Sequence, residues 1–143
     1  MYKPVGIIDT GSITVLGVVF HLDERRKSYL CRTLSDGLLI HAGLIGYVED
    51  GKLSDTGLDV LSDALRQIGT FFAEKDVPTE SVSCFATASL RGVRNFPEAA
   101  QRAAAEGFTL ELLSGEEEAK CDFAGMRQEM AWMEQDSDGA QFH

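Results

Sequence analysis

The chain is predicted to be one α/β domain with the element order β-β-β-α-β-α-β-α. Three observations carry this: short continuous apolar runs, capped segments with helical apolar periodicity, and alternation of the two after an opening meander. Alternation of strand and helix implies that the later strands are parallel. The length, 143 residues, suits a single independent core.

Residues 5–9 form a short apolar run ending in Asp9, and 15–22 continue in the same manner after a small polar knot. Residues 23–27 are a charged turn, and 28–34 read as the third strand of the meander. The following "SDGLLIHAGLIGYVEDGKL" is punctuated by glycine and has no clean period, so it reads as loop with short extended or helical pieces. Ser54 then caps a helix, with Leu53 and Leu58 placed as a hydrophobic staple. Leu58, Leu61, Leu65, Ile68 and Phe72 make one apolar stripe, taking the helix to about Glu74.

Residues 82–86, "VSCFA", are the next buried strand. Asn95 with Glu98 three residues on, and Pro97 in the first turn, predict an N-capped, alanine-rich helix that stops at Gly107. Residues 108–113, "FTLELL", are the last strand. Ser114 and Glu117 form a capping box for a final helix with the stripe Ala119, Phe123, Met126, Met130 and Met133.

Composition narrows the function classes. The formal charge of −10 argues against a general nucleic-acid binder, which needs a cationic face for the phosphate backbone. No basic leader precedes an apolar core, and the longest apolar runs fall short of a membrane span, so no membrane association is expected. Cys31, Cys84 and Cys121 are odd in number without metal-ligand spacing, and are expected to be reduced thiols in a cytoplasmic protein.

Chemistry concentrates at three strand ends. In "DTGSIT", Asp9 is followed by Gly11, Ser12 and Thr14. A turn at the glycine would gather N–H groups and hydroxyls into an anion-binding concavity, and Asp9 could hold a hard cation such as Mg²⁺ against the anion. The same residues equally suit a plain hairpin capped by Asp9. In "ATASLRGVRN", Arg91 near the strand end offers a forked phosphate donor, whereas Arg94 suits an exposed position paired with nearby acids. In "LLSGEEEA", the three glutamates need no more than a helix N-terminus to explain them. Glu118, beside the buried stripe, is also placed to orient or deprotonate a water, or to remain a solvated acid. In a parallel sheet these three ends share one rim, which favours a phosphate site over each separate alternative.

Together these segments resemble the N-terminal domain of the exopolyphosphatase/guanosine pentaphosphate phosphohydrolase (Ppx/GppA) family. "DTGSITVL" is similar to the family's D-x-G-S-N-S-x-R, "ATASLRGVRN" to A-T-x-A-L-R-x-A-x-N, and "LSGEEEA" to I-S-G-x-E-E-A. The resemblance spans nearly the whole chain. It implies an actin-like ATPase (ribonuclease H-like) fold, N-terminal lobe only, and hydrolysis of the terminal phosphate of polyphosphate or guanosine pentaphosphate.

By motif position it implies that Asp9, Gly11, Ser12 and Thr14 belong to the first phosphate loop, Arg91 binds substrate, and Glu118 is the catalytic base with Mg²⁺ as metal. The sequence departs from the motif at Ile13, which replaces an amide, and at Leu16, which replaces a cation. A second loop of the D-x-G-G-G-S type is absent before His143, so residues 1–143 are expected to be an isolated lobe releasing little phosphate alone. The alternatives are a non-catalytic lobe that binds a nucleotide or partner or forms a homodimer, and a lobe of an actin-like-fold kinase.

Overall fold

The computed structural model describes residues 2–23, 28–30, 37–87, 90 and 92–112. Strands β1 (Tyr2–Thr10) and β2 (Val15–Asp23) form an antiparallel hairpin in register from Tyr2↔Asp23 to Thr10↔Val15. Strand β3 (Ser28–Leu30) pairs with the far end of β2, and β4 (Gly37–Ile40) pairs with its near end, at Val15↔Ile40 to Val18↔Gly37. The meander is thus present with a fourth piece, drawn from the glycine-punctuated segment that lacks a period. That segment continues as a 3₁₀ turn (Leu44–Tyr47) and a small hairpin of β5 (Val48–Glu49) and β6 (Lys52–Leu53).

Helix α1 runs Asp55–Glu74, ending where the apolar stripe ends. The Ser54 hydroxyl accepts from the Gly57 N–H at 3.1 Å, and Leu53 and Leu58 are both buried beside it, as the staple requires. Strand β7 (Val82–Ala86), helix α2 (Phe96–Ala105) and strand β8 (Leu110–Leu112) follow. The α2 carbonyls are closed by bonds from Gly107 N–H to Ala104 and Phe108 N–H to Ala103, the Schellman arrangement. The helix proposed from Ser114 onward lies outside the described residues.

The sheet order is β3-β2-β1-β7-β8, with β1, β7 and β8 parallel, as the alternation implies. Strand alternation sorts its side chains onto two faces. Ile8, Val15, Val19, Cys84, Ala86 and Leu110 pack with α1 and α2, while Ile7, Leu16, Val18, Phe20 and Phe85 form a second cluster on the opposite face. α1 sits so close to the sheet that a Cβ at Gly17 would stand 2.6 Å from Ile68 Cγ2, so only glycine fits beneath the helix. Burial pushes the Cys84 thiol up to about 12, which makes it an inert core group rather than a nucleophile.

Candidate functional site

The register of the parallel strands fixes the geometry of the rim. Thr10 is level with Ala86, and Ala86 with Leu112, so the ends of β1, β7 and β8 stand in one row. Adjacent strands lie about 4.8 Å apart. The described ends of the first two motif-bearing strands, at Thr10 and Ala86, therefore stand side by side, and the third motif continues beyond Leu112 outside the described residues. The Thr87 N–H donates to the Thr10 carbonyl at 3.1 Å, extending the ladder one step beyond β7. The buried Thr87 hydroxyl then lies 4.0 Å from the position a Cβ on Gly11 would take.

Asp9, Gly11, Ser12 and Thr14 are all half-buried around the β1–β2 turn. The Gly11 N–H closes that turn onto the Thr14 carbonyl at 2.9 Å. The Ser12 carbonyl accepts from the Ile45 N–H at 2.9 Å, and the Ile13 carbonyl from the Gly43 N–H at 2.7 Å. No peptide among the described residues is cis, and in a trans peptide the N–H points opposite the C=O. Both carbonyls face the 43–45 segment, so the N–H groups of Ile13 and Thr14 are turned away from it, toward the other side of the turn. Successive N–H groups aligned in this way are the elements from which anion-binding concavities are built.

This arrangement recasts the two departures from the motif. Ile13 projects into solvent, 63% exposed, beside Ile45 at 58%, and its side chain plays no part in directing the turn's N–H groups. Leu16 is a core residue rather than a turn residue. It is buried in the second cluster and stands directly across β2 from Asp9, whose other neighbour in register is Phe85.

Asp9, two residues before Gly11, is the carboxylate of this motif that could hold a metal. Among the described residues no three His, Cys, Asp or Glu side chains gather into a ligand group. A single carboxylate suits Mg²⁺, which usually takes one or two carboxylates with phosphate oxygens and water. It does not fit a structural zinc site, which needs four protein ligands. Arg91 and Glu118 lie outside the described residues, as do Ala88 and Ser89.

The second motif holds a feature that sequence reading assigned differently. Asn95 makes no side-chain cap on α2. Its Oδ1 accepts from the Leu53 N–H at 2.9 Å, and its Nδ2 donates to the Leu53 carbonyl at 2.9 Å and to Glu98 Oε2 at 3.3 Å. The carboxamide thus acts like a strand peptide toward Leu53 and joins the entry of α1 to the entry of α2. Next to it, the Arg94 N–H donates to the Gly51 carbonyl at 2.8 Å and its guanidinium donates to the Asp50 carbonyl. Arg94 is exposed and serves the β5–β6 hairpin, in keeping with a non-binding role, but it bonds a main-chain carbonyl rather than an acid. Only the pairing of hairpin and loop in space reveals either partner.

A mixed sheet with parallel β1, β7 and β8, an antiparallel edge and, among the described residues, two helices packed on one face is the architecture of a lobe of the actin-like ATPase (ribonuclease H-like) class. Solved structures share this fold. The chain is similar to the Ppx/GppA phosphatase of Aquifex aeolicus in its type II crystal structure, with 23% identity and a TM-score of 0.67 over 81% of this chain and 37% of that one. It is also similar to an exopolyphosphatase from Cytophaga hutchinsonii, with 23% identity and a TM-score of 0.71 over 88% of this chain and 39% of that one. The profile of the Ppx/GppA phosphatase family matches residues 45–137, and the chain belongs to that family. It spans less than two-fifths of the length of these two structures. No curated protein matches it significantly. Among the described residues no helix is long and apolar enough to cross a membrane.

Proposed function

We propose that the chain is the N-terminal lobe of a cytoplasmic phosphatase that removes the terminal phosphate from inorganic polyphosphate or guanosine pentaphosphate. The carrying observation is the pinning of the Ser12 and Ile13 carbonyls, which turns two main-chain N–H groups outward at the rim where three strands end together. In this reading the Ile13 and Thr14 N–H groups and the Ser12 and Thr14 hydroxyls grip phosphate oxygens. Asp9 holds Mg²⁺, which when bound neutralises phosphate charge. Arg91 binds the substrate as a forked donor, and Glu118 orients and deprotonates the attacking water. The family membership supports these two roles through motif position alone.

The main-chain origin of the donors matters for a chain of net charge −10, since binding a polyanion must overcome repulsion from the rest of the molecule. Fixed N–H groups in a partly dehydrated turn do so without adding cations. Titration calorimetry of the 143-residue chain with guanosine pentaphosphate and with inorganic polyphosphate in Mg²⁺ is the test. Heat of binding is expected with at least one, weakened roughly tenfold or more by Asp9→Asn and left within about twofold by Glu118→Gln. Absence of heat with both ligands would overturn the proposal.

A further inference from the structure

The phosphate turn is shaped from beneath by a segment that carries no recognisable motif. β4 runs along β2 to the pair Val15↔Ile40, and the chain then turns back under residues 12–13. Gly43 adopts the left-handed conformation, φ 62° and ψ 40°, and its carbonyl accepts from the Gly46 N–H at 2.9 Å to start the 3₁₀ turn. Leu44, fully buried, anchors that turn in the core. In this conformation the N–H groups of Gly43 and Ile45 both reach the turn above, at 2.7 Å and 2.9 Å.

We infer that Gly43 is a positioning residue for anion binding. Its left-handed backbone aims two N–H donors at the Ile13 and Ser12 carbonyls, and those bonds fix the direction of the Ile13 and Thr14 N–H groups. This rests on the phosphate reading of the turn given above. Gly43 touches no substrate. Its contribution is to keep the concavity formed before the ligand arrives, so that binding does not have to order the turn.

A Cβ at Gly43 would meet nothing within 4 Å, so a substitution there acts through the backbone alone. A β-branched residue is a severe outlier in the left-handed region, whereas asparagine visits it readily. Calorimetry with inorganic tripolyphosphate in Mg²⁺, at a temperature where circular dichroism shows each variant folded, reads the effect. Gly43→Val is expected to weaken binding roughly tenfold, and Gly43→Asn to restore it to within about twofold of the parent. A purely structural role would lower the melting temperature of Gly43→Val yet leave the affinity of its folded form unchanged, and that result overturns the inference. Loss of affinity in Gly43→Asn equal to that in Gly43→Val overturns it too, since asparagine keeps the conformation. Should Gly43→Val not fold, Gly43→Ala carries the test with an expected loss of roughly threefold; unchanged affinity there overturns the inference. If the parent chain does not bind tripolyphosphate, the phosphate reading of the turn falls and the inference with it.

Discussion

Phe72→Ala is expected to destabilise the domain by about 3–5 kcal/mol. The ring is buried where α1 crosses two glycines of the sheet. A Cβ on Gly6 would stand 2.8 Å from Phe72 Cε2, and one on Gly17 3.4 Å from Phe72 Cζ. The bare backbone of β1 and β2 is thus the floor on which the ring lies. Removing it opens a cavity that neither glycine has a side chain to fill, and incomplete collapse is what makes such truncations costly. Urea unfolding followed by circular dichroism measures the loss, with the dependence on denaturant unchanged. A loss below about 1 kcal/mol would mean that α1 does not sit on the sheet in this way.

Asn95→Ala is expected to cost about 2–4 kcal/mol, because it strips the partner from both main-chain groups of Leu53 in a buried setting. The competing role, a helix N-cap, makes a different prediction. If Asn95 capped α2, aspartate or serine would replace it with little loss. As a two-point bridge it must both accept and donate. Asn95→Asp keeps the acceptor, loses the donor, and turns a carboxylate toward the Leu53 carbonyl and Glu98. Thermal melts should therefore find Asn95→Asp no more stable than Asn95→Ala. Near-parental stability of the aspartate variant would restore the cap.

Much of the scaffold was legible because it repeats. The stripe from Leu58 to Phe72 and the hydroxyl of Ser54 set both ends of α1, and the apolar run "VSCFA" became β7 without a change of boundary. The parallel pairing of β1, β7 and β8 followed from strand–helix alternation, and the register of Thr10, Ala86 and Leu112 bears it out, while the third motif beyond Leu112 lies outside the described residues. What escaped was non-periodic and long-range. β4 is four residues long and adjoins glycine, so no period marks it.

Asn95 followed by Glu98 fits a cap signature, and nothing local announces a partner 42 residues away. Gly43 and Ile45 act through main-chain N–H groups, which every residue but proline carries, so the identity of Ile45 holds no trace of the contact and that of Gly43 marks only a left-handed turn. Ile13 shows the same limit from the other side. Its side chain drew notice, while the peptide groups on either side of it carry the geometry.

The central claim is that the N–H groups of Ile13 and Thr14 hold a phosphate. Amide NMR of the ¹⁵N-labelled chain, titrated with inorganic tripolyphosphate in Mg²⁺, addresses those two groups directly. Their resonances are expected to show the largest saturable shifts, and to do so equally in Ile13→Ala, which changes the side chain and leaves the peptide. Resonances at Ile13 and Thr14 that stay still, with shifts confined to the residues around Lys52 and Arg94, would contradict it.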